Sequence, residues 1–343
     1  MIIRKITIDK DFPSIINKKI EALARNEIFS PIWQTIDWSI MLMEALYANR
    51  CFFLWAFEED DEDSLINYLI VEQRLVWKHA WWHFVIWWPY KNEAILELTE
   101  ELNRLWTEEK AVFTQLEPLI DLEIEWYKNE SYKKFIERHT AVINLSQSED
   151  EILANMKQKW RYNIKLARKN WIEVHKAEAN EQNLWAFYDL LNETKTRDEF
   201  AVNSIEYFRE FSEYIDKKNI WWLYFAKYEW EVVAAGIFIF FWKICYYYYW
   251  ASTSDNEKRK FMPTYLLQWE AIQEAKRKHL KYFDFLWIAD PKDKNSKLAW
   301  VTDFKLKLTN ETKIWPEGKI KVHKKFTYLY LKSRQVIKKL LKR

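Results

Sequence analysis

Apolar and polar positions alternate from the first residues, Ile3-Arg-Lys-Ile-Thr-Ile8, with the two-residue period of a half-buried strand. Helical spacing follows over 13–26 and 38–48, then strand patterns at 52–57 and 65–74 on either side of the acidic run Glu58 to Asp63, which reads as a solvated hairpin tip. A strand at 83–86, a helix at 93–106 and a strand at 111–115 close the first half. A strand at 139–145 leads to Ser148-Glu-Asp-Glu151, a capping box, after which helical periodicity is predicted to continue to about residue 170. The order then repeats: a strand at 172–177, helices at 184–195 and 204–215, strands at 222–227, 232–241 and 245–252, a helix at 263–279 and a strand at 282–285. The pattern predicts an α/β protein with mixed sheets, built as two tandem copies of one unit: residues 1–145 with 318–343, and residues 146–317. In the tail, Tyr328, Leu331, Val336 and Leu340 recur near helical spacing and predict a last helix lying against the first unit. The one long apolar run, Val232 to Ala251, is split by Lys243 and reads as two buried strands joined at Trp242-Lys243 rather than as a membrane span.

Composition changes one part of this picture. The chain holds 22 Trp and 2 Gly, where about 24 Gly is ordinary at the usual ~7%. Several indoles stand where a turn is expected: Trp171 after a helical stretch, Trp230 in Tyr-Glu-Trp-Glu, Trp242 in Phe-Trp-Lys and Trp287 in Phe-Leu-Trp-Ile. Glycine is the usual residue at such bends because it takes positive φ without a Cβ clash. The expectation is that most of these tryptophans are UGA codons that the native genetic code reads as glycine. A sugar- or membrane-binding aromatic surface and an unusual but genuine composition are the alternatives; against the first, stacking needs rings on one face and these are scattered from Trp33 to Trp315.

A net charge of +2 with 30% charged residues gives no global polyanion signal. Charge is local instead, with ten Lys or Arg and no Asp or Glu from Lys319 to Arg343, a tail suited to an acidic partner. Cys51 and Cys245 are isolated thiols, and the opening residues lack the apolar core of a signal peptide, which together fit a reducing cytoplasm. The six His show no metal spacing, and no Walker A or GxGxxG pattern is present even with Gly at every Trp, so no metal or cofactor is expected.

Three stretches carry candidate chemistry. Lys157, Arg161, Lys165 and Arg168 fall at i, i+4, i+8 and i+11, a basic stripe able to hold phosphates or simply a solvated helix face. Tyr246-Tyr-Tyr-Tyr-Trp-Ala-Ser-Thr-Ser254 ends in small hydroxyl residues ahead of Lys258-Arg-Lys-Phe-Met-Pro263 and a helix start, a place where hydroxyls and amides can meet a ligand. Trp300-Val-Thr-Asp-Phe-Lys305 reads as a loop or strand that sets a lysine beside an aromatic, where it can neutralise an oxyanion.

These stretches, with Thr194-Lys-Thr-Arg-Asp-Glu-Phe-Ala-Val202, Tyr207, Tyr265-Leu-Leu-Gln-Trp-Glu-Ala-Ile272 and Phe283-Asp-Phe-Leu-Trp-Ile288, resemble the Fem family of peptidoglycan-bridge aminoacyltransferases in its compact FemX-like form. The resemblance is specific from about residue 140 onward and looser before it. Family members usually have glycine where this chain has Trp88, Trp171, Trp230, Trp242, Trp250, Trp287 and Trp300, while a tryptophan is at home at Trp38, Trp160 and Trp269. The resemblance implies two folds like the Gcn5-related N-acetyltransferases (GNAT). It also implies transfer of an amino acid from aminoacyl-tRNA to the stem peptide of a cell-wall precursor, either lipid II or UDP-MurNAc-peptide, by a cytoplasmic enzyme whose basic tail is expected to meet tRNA or the anionic inner face of the membrane. Lys305 then takes the charge-stabilising role, Tyr207 and Tyr248 bind substrate, and Asn203 and Arg197 stand at binding positions, Asn203 where members often carry a basic or imidazole side chain. No long helical arm fits between 172 and 220, so contact with tRNA falls to Lys157, Arg161, Lys165 and the tail. An acyl-CoA donor on the same fold, and an RNA- or membrane-binding protein without catalysis, are the other readings. Against the first, Arg259-Lys-Phe-Met-Pro263 lacks the paired glycines of a pyrophosphate loop.

Overall fold

Runs rich in β-branched and aromatic residues form the strands, and the segments with helical periodicity pack across them. The computed structural model describes residues 1–341 except 60, 62, 63, 79, 136, 199, 217, 218, 294 and 297. The chain runs β1 (Ile2–Thr7), α1 (Ser14–Asn26), α2 (Ile36–Glu44), β2 (Arg50–Phe57), β3 (Asn67–Trp77), β4 (Ala80–Trp87), α3 (Ile95–Glu109), β5 (Phe113–Pro118) and β6 (Lys128–Asn129). It continues through β7 (His139–Asn144), α4 (Glu149–Asn155), α5 (Gln158–Lys169), β8 (Ile172–Ala177), α6 (Glu181–Asp198), α7 (Ile205–Asp216), β9 (Trp221–Tyr228), β10 (Glu231–Phe241) and β11 (Ile244–Ser252). The last elements are α8 (Asn256–Arg259), α9 (Pro263–Arg277), β12 (Tyr282–Asp284), α10 (Ala299–Lys305), β13 (Thr312–Ile314), β14 (Lys319–Val322) and α11 (Lys325–Leu340).

The chain divides into two units, Met1–Ile136 with Trp315–Arg343, and Glu137–Ile314. One sheet has the order β1-β2-β3-β4-β5-β14-β6 and the other β8-β9-β10-β11-β12-β7-β13. Position by position the directions agree: the central pairs β4–β5 and β11–β12 are parallel and every other neighbouring pair is antiparallel. A parallel pair needs a crossover, and α3 supplies it in the first sheet while α8 and α9 lie on it in the second. The sixth position is filled by β14 in one sheet and β7 in the other. Strand 139–144, counted with the first unit on sequence grounds, therefore belongs to the second sheet, because its edges pair with β12 and β13. Trp315, counted with the second unit, lies with the first.

In the first unit α3 buries Leu98, Leu102 and Leu105 on Phe52, Leu69, Val85 and Leu116, and α11 lays Tyr328 and Leu331 on the other side beside Trp82, Phe84 and Phe113. In the second unit, Trp160 and Ile164 of α5 and Leu267 and Ala271 of α9 share one core. The opposite face carries α6 and α7, with Phe208 4.9 Å from Tyr249 between ring centres and Phe211 stacked on Tyr248 at 5.6 Å.

The structure revises three local expectations. The helix foreseen up to residue 170 is two helices, because Met156 and Lys157 are extended and the Lys157 amide is drawn to the Lys307 carbonyl at 2.9 Å. The Phe304-Lys305 pair lies on a helix, α10, rather than a loop or strand. Of the four tryptophans placed at bends, Trp171 (φ 57°) and Trp242 (φ 49°) hold the left-handed conformation, whereas at Trp230 and Trp287 the preceding residues Glu229 and Leu286 hold it. Trp126 is a further left-handed tryptophan at φ 71°. Of the acidic run Glu58 to Asp63, residues 60, 62 and 63 lie outside the described residues, as do 342 and 343 at the end of the basic tail.

Candidate active site

The site grows from an interruption in the second sheet. Strands β11 and β12 pair through Ile244–Tyr282, Cys245–Phe283 and Tyr246–Asp284 and then part, β11 continuing to Ser252 while the other strand ends at Asp284 and bends through Leu286 at φ 52°. Backbone carbonyls beyond such a parting need new donors when buried. Lys305 supplies them: its Nζ donates to the carbonyl oxygens of Leu286 at 2.8 Å and Trp287 at 3.1 Å. The side chain is buried, and loss of hydration lowers its pKa to about 7, with the Asp284 carboxylate pulling the other way.

Asp284 is the support beneath this arrangement. Its Oδ1 accepts the Leu286 amide at 2.8 Å and the Thr140 hydroxyl, so it fixes the bend whose carbonyls hold the lysine. Burial pushes its pKa up to about 6, against the effect of those hydrogen bonds and of Lys305. Sequence reading missed this residue: nothing in Phe-Asp-Phe shows that its carboxylate faces inward, because the partners come from β7 and from α10.

Beside the parting lies a cavity of about 880 Å³. Tyr247, Trp250 and Ser252 of β11 form one wall, and Val301, Phe304 and Lys305 of α10 another. Phe304 is set by Trp160, which lies 5.2 Å from it and 4.1 Å from Tyr265 between ring centres. The rest is cationic: Arg197, Arg259, Lys260 and Lys307 line the cavity, with Glu257 the one carboxylate among the lining residues. The N-terminus of α9 opens onto it through Met262, Pro263 and Thr264, adding the positive end of a helix dipole. Such a wall suits the anionic end of a substrate. Arg259 and Lys260 belong to the stretch singled out before the Pro263 helix, whereas Lys307 gave no sign of lining a site.

The remaining expected site residues fall elsewhere. Arg197 reaches the cavity, but its guanidinium also donates to the carbonyls of Ser252 (3.0 Å) and Thr253 (2.9 Å) and pairs with Asp198 at 2.8 Å, anchoring the end of β11. Register shifts at Ile237/Phe238 leave Tyr248 as an extra residue between Tyr247 and Tyr249, which puts the side chains of Tyr248 and Tyr249 on one face. There Tyr207 and Tyr248 hydroxyls meet at 2.7 Å, and Asn203 donates to the Tyr249 hydroxyl at 2.7 Å, away from the residues that line the cavity. Arg161 closes the end of α4 by donating to the carbonyls of Leu153, Ala154 and Met156. Lys157, just before α5, and Lys165 on it are exposed. Among the described residues no three His, Cys, Asp or Glu side chains are grouped as metal ligands.

The FemAB family sequence profile matches residues 61–227 and 223–311. The chain belongs to the FemAB family. No curated protein matches it. Among solved structures, the crystal structure of FemX superposes with a TM-score of 0.76 at 15% identity, covering 95% of this chain and 99% of that one. The C-terminal domain of a putative lysylphosphatidylglycerol synthetase from Agrobacterium fabrum gives 0.57 at 11% identity, over 93% and 97% of the two chains. A tandem GNAT protein from the clavulanic acid pathway gives 0.51 at 8% identity, over 93% and 98%. At these identities the structures speak for the fold, which is a tandem pair of GNAT-like units. Family membership makes the chain a transferase of the peptidoglycan-bridge class. No helix among the described residues is long and apolar enough to cross a membrane.

Proposed function

We propose that this FemAB member moves an amino acid from aminoacyl-tRNA onto the stem-peptide amine of a peptidoglycan precursor, lipid II or UDP-MurNAc-peptide. The observation that carries the reading is the Lys305 amine at the parting of β11 and β12, at the wall of a cationic cavity. In the reaction the neutral acceptor amine attacks the ester carbonyl, and the carbonyl oxygen takes up negative charge. Collapse forms the amide and expels the ribose oxygen of the tRNA, which leaves with the proton the amine gives up. The protonated Lys305 stabilises the oxyanion in a water-poor site where one charge counts for more than in bulk solvent. Arg259, Lys260, Lys307 and the α9 N-terminus take the phosphates of the acceptor end, and exposed Lys157 and Lys165 lie ready for the tRNA backbone. Tyr207, Tyr248 and Asn203 act by holding the bulge that sets Trp250 and Ser252 in the cavity wall, rather than by contact with the stem peptide.

The test is incubation of the chain with labelled aminoacyl-tRNAs and both precursor forms. Label is expected on the precursor and its release is expected to require the tRNA ester. A helix N-terminus facing a cavity also suits a coenzyme A pyrophosphate, so label passing from an acyl-CoA and none from tRNA overturns the proposal in favour of an acyl-CoA-dependent transferase.

A further inference from the structure

Helix α11 presents two apolar faces, and one is exposed apart from Tyr330, whose ring lies 5.2 Å from that of Trp77. Tyr328 and Leu331 point into the first unit, Tyr328 lying 5.4 Å from Phe113 and 5.9 Å from Tyr132 between ring centres. At 3.6 residues per turn, Val336, Leu329, Leu340, Phe326, Ile337 and Tyr330 fall in a single arc on the outward side, broken by Ser333, with Leu341 next in line. All are exposed, Phe326 at 89% and Leu340 at 62%. An amphipathic surface helix normally turns lysines and glutamates outward here. Lys325, Lys332 and Arg334 instead stand at the borders of the apolar arc, Lys332 paired with Glu130 and Arg334 lying 5.0 Å over the Trp77 ring, and no acidic residue occurs from Lys319 to the end of the chain.

We propose that the outward face of α11 docks on an anionic phospholipid bilayer, its apolar side chains entering the acyl boundary and its bordering lysines and arginine meeting headgroup phosphates. Both halves of the pattern are needed for this choice. A nucleic acid satisfies the cations and leaves six large apolar side chains in water. A second copy of the helix covers the apolar arc and brings like charges together along both borders. A bilayer surface accepts the two together. The helix, 16 residues long and basic, lies in the interface and does not span it. The inference stands apart from the transfer reaction, and no tryptophan of uncertain decoding lies within the helix.

The test is co-sedimentation of the full chain with vesicles of phosphatidylcholine alone and of phosphatidylcholine with phosphatidylglycerol. Binding is expected to the anionic vesicles and to weaken as salt rises. The double variant Leu329→Ser/Ile337→Ser, which alters exposed positions and keeps the melting temperature, is expected to lower the bound fraction by roughly tenfold or more. Absence of binding to anionic vesicles, or equal binding by the double variant, overturns the proposal. So does a dimer or an RNA complex, formed without vesicles, that the same two substitutions abolish.

Discussion

The two sheets share strand order and direction, yet their central parallel pairs end differently. In the first unit β4 and β5 stay joined through five residue pairs, from His83–Thr114 to Trp87–Pro118, and the Leu119 amide extends the ladder to the Trp87 carbonyl at 2.9 Å. The Trp87 indole and Gln34 then close the end of the strand with hydrogen bonds to Tyr68 and Trp88. In the second unit the ladder stops after three pairs, and a lysine side chain takes the carbonyls that a strand or loop satisfies in the first. One topology thus gives a ladder closed by backbone or a ladder whose last carbonyls are held by a buried lysine, according to where the parallel pairing ends. The same burial that brings the lysine to the carbonyls removes hydration from the ammonium and lowers its pKa to about 7.

The largest effect expected from breaking this contrast comes from Lys305→Met. If the lysine carries oxyanion stabilisation, transfer falls by roughly a hundred- to a thousandfold. The two carbonyls also lose their donor, which costs about 1–3 kcal/mol of stability. Turnover and thermal melting measured together separate the two effects. A rate within twofold of the parent, in a variant whose melting temperature has dropped, makes Lys305 a structural plug like Gln34.

Asp284→Ala tests the support beneath the lysine. The Leu286 amide and the Thr140 hydroxyl lose their buried acceptor, and about tenfold is expected to be lost from turnover as the bend relaxes, with KM changed much less. Asp284→Asn keeps an acceptor for the amide and removes only the charge. Its signature is in the pH profile. A carboxylate near Lys305 favours the ammonium, so the parent is expected to lose kcat/KM as pH rises through about 7, where Lys305 gives up its proton. In the Asn variant that limb moves to lower pH, and in Lys305→Arg it disappears, since a guanidinium stays charged across the range. An unmoved limb in both variants assigns it to another group.

Much of this organisation was legible in sequence and some was not. The capping box at Ser148 forms as its spacing predicts, with the Glu151 amide 3.2 Å from the Ser148 hydroxyl, and the strand break at Trp242-Lys243 is the hairpin between Phe241 and Ile244. These are local features, set by residues within a few positions of one another. The break at Met156 and Lys157 depends on the remote Lys307 carbonyl, and β7 joins the second sheet because its partners come from far along the chain. For the site, Lys305 stood out beside Phe304, but the carbonyls that hold it, the Asp284 that fixes them and the extra Tyr248 in β11 are products of strand register. A one-residue shift in pairing changes which face a side chain joins, and four consecutive tyrosines hide that shift.

The smallest expected effect concerns the tryptophans, where the structure separates two groups. Trp38, Trp160 and Trp269, at home in the family, are buried, and Trp160 supports the Phe304 wall of the cavity. Trp171 and Trp242 sit at positive φ, one past the end of α5 and the other first in the two-residue loop between β10 and β11; Trp171 is 82% exposed. A non-glycine residue there is strained by about 1 kcal/mol, and the exposed Trp171 indole returns little through packing, whereas the half-buried Trp242 ring lies 5.5 Å from that of Phe241. Trp171→Gly is therefore expected to stabilise the chain by roughly that amount, measured as a rise in denaturant midpoint, and Trp242→Gly by less because lost packing offsets the relief of strain, whereas Trp160→Gly is expected to cost about 3–5 kcal/mol. If Trp171→Gly destabilises instead, that indole belongs where it is, and TGG codons at these positions in the gene remove the case for glycine outright. UGA codons there, with glycine in peptides from the native protein, assign the bends in the second sheet to glycine while leaving Lys305, Asp284 and Phe304 untouched.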